Sequence, residues 1–180
     1  MKKMILIIIA AALVLFLGVG FYKASQLQHI NIQKTVTINA DLQTVFDQVV
    51  YLENFPEWSP FLKADPSQKV SIKGPDGIVG VQYHWDGNKG KDLGFQEIKE
   101  ITPLKFIKME CDIQKPFKAH PVFEYSFSKL PNGVRITQDF KLESGLMDSF
   151  FMWLFGAKNN MEKMNARGME LLKISTEQKA

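Results

Sequence analysis

The chain has 180 residues, 46% hydrophobic and 23% charged, which excludes a wholly disordered polymer and suffices for one sizeable core. Its 22 basic and 19 acidic residues give a formal charge of +3. One cysteine excludes an intrachain disulfide and a thiolate-rich zinc site.

The charge is not evenly spread. Met1 to Tyr22 hold Lys2 and Lys3 and no acid, so 20 basic residues remain against 19 acidic ones beyond Tyr22, a formal +1. No nucleic-acid partner is expected on that balance. From Ile5 to Phe21 all 17 residues are apolar or glycine, and Met4 to Tyr22 makes 19. At about 1.5 Å per residue such a helix matches a hydrocarbon core of about 30 Å. The rival is a cleaved signal peptide, but Phe21-Tyr22-Lys23-Ala24-Ser25 puts bulky groups where cleavage wants small ones. A retained single-pass anchor in the plasma (inner) membrane is favoured. Lys2, Lys3 and the terminal amine outweigh Lys23, so the N-terminus is expected in the cytoplasm and the rest exported.

Residues 23–29 read as a polar linker. Alternation over Asn31 to Ile38 predicts a strand, with Ile32, Lys34, Val36 and Ile38 on one face. Asn39 or Asp41 then caps a helix whose apolar positions are Leu42, Val45, Phe46, Val49 and Val50. Tyr51 to Trp58 reads as a second short helical piece, stopped around Pro56 and Pro60. Six alternating runs follow: Val70–Ile72, Ile78–Trp85, Leu93–Ile101, Leu104–Ile113, Val122–Leu130 and Val134–Leu142. Gly74-Pro75-Asp76-Gly77, Asp86-Gly87-Asn88 and Pro131-Asn132-Gly133 supply turn chemistry between them. Finally Phe150, Leu154, Ala157, Met161, Met164, Gly168 and Leu171 keep helical spacing and predict one long amphipathic helix, capped by Asp148 or Ser149.

That order of elements, with the residues on it, resembles the helix-grip superfamily of START-related and pollen-allergen-like domains. The local match is to its polyketide cyclase/dehydrase-like (SRPBCC) members. It rests on YLENFPEWSPF (Tyr51 to Phe61), GVQYHWDGNKGKDLG (Gly80 to Gly94), KPF (Lys115 to Phe117) and the closing MEKMNARGMELLK (Met161 to Lys173). The resemblance covers about residues 30–175 and implies an α+β fold. A curved antiparallel sheet of about seven strands would wrap a long C-terminal helix, here behind one transmembrane helix. The expected organisation is 1–29 anchor and linker, 30–175 helix-grip domain and 176–180 polar tail. A cavity for a hydrophobic small molecule or lipid is implied between sheet and helix.

Alternation nominates the lining: Val79, Val81, Tyr83 and Trp85 share one face, as do Ile107, Met109, Cys111 and Ile113, and Phe123, Tyr125 and Phe127. With Trp58, Phe117, Phe151, Leu154 and Met161, the candidate cavity residues are Trp58, Tyr83, Trp85, Met109, Cys111, Phe117, Phe123, Tyr125, Phe127, Phe151, Leu154 and Met161. Each of them alone reads more simply as ordinary core; only the ensemble raises a pocket.

No catalytic set emerges. His29, His84 and His120 are scattered, with no metal-ligand spacing, and His84 alternates away from Trp85, outward. Gly87, Gly90 and Gly94 lack phosphate-loop spacing, and Ser59 and Ser144 lack a base. No cofactor or metal is expected. Three functions stay open: a binding module held at the membrane by residues 4–22; a cyclase, dehydratase or hydrolase using Tyr83, Tyr125 or Asp139; and a protein-docking surface at Phe150–Phe155.

Overall fold

The computed structural model describes residues 2–179; Met1 and Ala180, the outer ends of the expected anchor and tail, lie outside the described residues. Helix α1, Lys2–Ser25, is one 24-residue helix and long and apolar enough to cross a membrane. Its sides are exposed from Lys2 to Val19, whereas a helix hydrophobic all round is ordinarily buried in a core or a membrane.

Strand β1 (His29–Ile38) leads to helix α2 (Leu42–Val50), where the Asp41 carboxylate accepts the Thr44 amide at 3.0 Å as N-cap. A 3₁₀ turn, Leu52–Asn54, then precedes α3 (Phe55–Trp58) and α4 (Pro60–Ala64). Pro56 and Pro60 begin these helices instead of ending one, since the first turn needs no proline N–H. Strands β2 (Lys69–Lys73), β3 (Gln82–Gly87), β4 (Asp92–Thr102), β5 (Phe106–Lys115), β6 (Val122–Leu130) and β7 (Gly133–Glu143) follow. The seven strands form one sheet in the order β1-β7-β6-β5-β4-β3-β2, with every pair antiparallel. Strand β3 starts later than its alternation suggested: Ile78 and Val79 lie exposed in the preceding turn.

The C-terminal region is two helices, not one: α5 (Leu146–Leu154) and α6 (Ala157–Glu177). Gly156, at φ +64°, adopts the left-handed conformation that breaks the run. The N-cap of α5 is Gly145, while Asp148 lies in its first turn and Ser149 is buried against Ser144, Oγ to Oγ 2.9 Å. Helix α6 packs across β1, α3 and α4 over the inward face of the sheet. Its end is pinned, because Lys179 Nζ lies 2.7 Å from Glu57 Oε2 and also donates to Gln48 Oε1.

Helix α5 lies against the upper part of α1. Trp153 meets Phe16 with centroids 5.6 Å apart, and Phe150 meets Phe21 at 4.8 Å. Gly20 makes the approach possible, since a Cβ there would stand 2.5 Å from Phe150 Cε2 and 2.9 Å from Trp153 Cζ3. Gly20→Leu is therefore expected to pry α5 from α1 at a cost of about 1–3 kcal/mol. Thermal unfolding of the full chain in detergent checks this; Gly18→Leu, where nothing lies within 4 Å, leaves the transition unmoved.

Candidate functional site

The inward face of the sheet is mostly apolar: Ile98, Ile107, Met109, Phe127, Val134 and Ile136 are buried in one cluster with Met169, Leu171 and Leu172 of α6. Register places a polar row within it. Tyr83 pairs with Gln96 and Gln96 with Cys111, while Tyr125 pairs with both Ile107 and Gln138. An aromatic wall closes this region from α3: Phe55 packs edge-on to Tyr83 (5.0 Å) and Trp58 (4.7 Å), and Trp58 meets Tyr125 at 6.1 Å. The Trp58 indole N–H donates to the Gln48 carbonyl at 3.1 Å, fixing the ring.

Several polar atoms here are buried without a partner. They are Tyr83 Oη, Gln96 Nε2 and Gln138 Oε1 on the sheet, and Asn165 Oδ1 on α6. Only the other ends of two of these side chains are accounted for: Gln138 Nε2 donates to Tyr125 Oη at 3.0 Å, and Asn165 Nδ2 to the Met161 carbonyl at 2.8 Å. An unmet buried polar group costs about 1–3 kcal/mol, so four such groups call for an explanation.

Burial pushes the Tyr83 phenol and the Cys111 thiol each up to about 12. Burial also raises Tyr125, against the opposing hydrogen bond from Gln138. These groups are held neutral, and no Asp, Glu, His, Lys or Arg is buried among the described residues. The Cys111 thiol is accordingly expected to resist alkylation at pH 8 in the native chain and react at once in guanidinium. Raised values favour the protonated forms in the folded state. Stability is thus complete below the ordinary thiol and phenol range, and falls as pH climbs from about 9 towards 12. A urea-denaturation series over that range reads the loss.

The candidates divide. Trp58, Tyr83, Met109, Cys111, Tyr125 and Phe127 are buried on the inward face, while Trp85 and Phe123 are half-buried beside them. Met161 is half-buried in a second cluster with Ile30, Ile32, Phe140 and Leu142. Phe117 is 73% exposed on the β5–β6 connection, and Phe151 and Leu154 are exposed on α5, so these three stand apart from the interior. Asp139, a candidate acid, lies on the opposite face, where it accepts from Gln33 Nε2 at 2.7 Å. The Phe150–Phe155 segment is not wholly free for docking, because Phe150 and Trp153 face α1. Gln96, Gln138 and Asn165 were not singled out by sequence. The signal for the two glutamines was a polar residue in phase with apolar alternation, Gly94/Gln96/Ile98 and Ile136/Gln138/Phe140.

Residues 29–176 match the profile of the family described as polyketide cyclase / dehydrase and lipid transport. The chain belongs to that family. Solved structures repeat this family's fold at low identity. Protein CV1439 from Chromobacterium violaceum aligns with TM-score 0.61 at 10% identity, over 82% of this chain and 97% of its own. MLL2253 from Mesorhizobium loti gives 0.59 at 14%, over 80% and 94%, and Ara h 8.0201 gives 0.53 at 14%, over 80% and 98%. At such identities the likeness is one of fold. No curated protein sequence matches this family member significantly.

Proposed function

We propose that the chain is a membrane-tethered binding module. It holds an apolar small molecule or lipid bearing a polar group between the sheet and α6. The observation that carries this is the set of partnerless buried atoms: Tyr83 Oη, Gln96 Nε2 and Gln138 Oε1 among the apolar residues of the inward sheet face, and Asn165 Oδ1 on α6. Such sites pair an apolar lining with a few polar groups that orient the ligand. A hydroxyl, carbonyl or carboxyl group reaching them would restore hydrogen bonds the protein alone leaves unmade. The membership in a family named for cyclases and lipid transport supports the same class of ligand. A proton-transfer reaction would need a group that titrates near neutral pH; the buried groups are two phenols and a thiol held protonated.

In this reading α1 is a retained anchor with its N-terminus cytoplasmic and the domain of residues 30–175 exported. Burial of Gly20 and Ala24 within the fold supports retention, since cleavage there would strip cover from Phe150 and Trp153. In this reading the ligand enters by parting the two apolar clusters of the inward face. Two surface concavities of about 580 Å³ each lie elsewhere, along α1 at Ile7–Leu15 and between Asn39–Leu42 and Lys129–Gly133.

The test is purification of the full chain in a lipid-free detergent, followed by organic extraction and mass spectrometry. A stoichiometric apolar species in the wild type, absent from a Gln96→Met/Gln138→Leu variant that still folds, is expected. No retained species, and no saturable binding of added fatty acids or alcohols, would contradict the proposal.

A further inference from the structure

The apolar face that α5 turns away from α1 has no partner among the described residues. Phe150 and Trp153 point to α1, and Met152 packs on the cluster of Ile30, Ile32, Phe140 and Leu142. That leaves Met147, Phe151, Leu154 and Phe155 exposed, with Phe155 74% exposed at the tip beside Gly156. Their spacing, i, i+4, i+7 and i+8, makes one continuous stripe on the helix.

Helix α1 fixes where this stripe sits. Ser144 bonds to the Gln28 carbonyl just beyond the end of α1, Phe150 meets Phe21, and Trp153 meets Phe16. Helix α5 therefore runs back down α1, and its tip lies at or below the level of Phe16. The ring contact with α5 at Phe16 leaves Met4 to Leu15, 12 residues, below it. At 1.5 Å per residue that is about 18 Å, well short of a hydrocarbon core of about 30 Å. A spanning α1 must therefore take its next turns into the bilayer as well, and those turns carry α5. The exposed stripe then meets acyl chains, with which it is continuous through the apolar sides of α1.

We infer that the tip of α5, through Phe151, Leu154 and Phe155, inserts into the bilayer leaflet on the domain's side as a second membrane element beside α1. This inference rests on the reading of α1 as a retained membrane helix. It makes the tether short and stiff. The start of α6, which follows the tip directly, is held at the membrane surface, where an apolar ligand would pass between lipid and protein.

The test places an environment-sensitive NBD label on single cysteines in a Cys111→Ala background of the full chain, reconstituted in phosphatidylcholine vesicles with and without brominated acyl chains. The sites are Phe155→Cys and, independently, Phe151→Cys, with Leu15→Cys reporting the span and Asn132→Cys the water-exposed hairpin. Circular dichroism confirms that each variant folds. Expected are blue-shifted emission and at least twofold bromolipid quenching at 155, 151 and 15, and none at 132. Quenching at 15 with water-like emission at 155 and 151 would overturn the inference while leaving the anchor intact. Blue-shifted but unquenched emission at 155 and 151 would put the tip against protein and also overturn it. No quenching at 15 would overturn both the anchor and the inference.

Discussion

Replacing Trp58 with alanine is expected to lower the unfolding free energy of the full chain by about 3–5 kcal/mol, the usual cost of emptying a large aromatic site. Trp58 is only 2% exposed, and it touches Phe55 on one side and Tyr125 on the other. Its indole N–H also satisfies the Gln48 carbonyl, so truncation leaves a cavity and an unpaired acceptor together. Against a typical total of about 5–15 kcal/mol, much of the native population would be lost. Trp58→Phe fills most of the volume and strands only the carbonyl, so about 1–2 kcal/mol is expected. Urea titrations followed by far-UV circular dichroism measure both. A loss under about 1 kcal/mol for Trp58→Ala would mean that α3 is not a wall of this interior.

The second large effect has opposite signs in stability and in binding. Gln96→Met keeps the shape of the side chain and removes the partnerless Nε2. The protein should become more stable by about 1 kcal/mol, because a desolvated, unbonded donor is gone. In a chain of this size that raises Tm by about 2–4 °C. Affinity for a polar-headed apolar probe such as decanoic acid should fall about tenfold, the worth of one hydrogen bond of about 1.4 kcal/mol. A purely structural glutamine would give the reverse, lower stability and unchanged binding. Calorimetry and a probe titration on the same samples separate the two.

The parts legible in the sequence are those set by local chemistry. Six alternating runs and their Gly, Pro, Asn and Asp turns mark the strands because side chains alternate faces and few residues tolerate the turn backbone. All seven strands appear, in antiparallel order, and of the two expected caps, Asn39 and Asp41, it is Asp41 that caps α2. The break between α5 and α6 was hidden because helical spacing runs straight through it, from Leu154 to Ala157 and Met161. Only the positive φ of Gly156 interrupts it. Likewise nothing in a uniformly apolar segment distinguishes Gly18, which faces open space, from Gly20, which receives two aromatic rings. That difference exists only once α5 has docked. Alternation put Tyr83, Met109, Cys111 and Tyr125 on one sheet face, and that face is the buried one. Gln96 and Gln138 carried no chemical signal, because a neutral amide does not titrate and has no spacing signature of its own. Phe117, which entered with the KPF segment of the resemblance and not by alternation, is turned to solvent by the connection that carries it.

The interior as a binding site is tested most directly by methionine methyl resonances. Met109 on β5 and Met169 on α6 are both buried in the inward cluster, whereas Met147 is exposed on α5. In [13C-methyl]methionine spectra of the full chain in nanodiscs, decanoic acid or decanol should shift Met109 and Met169 saturably, one molecule per chain, with Gln96→Met weakening the response about tenfold. Met109 and Met169 unmoved at saturating ligand, with only Met147 responding, would contradict a ligand between sheet and helix.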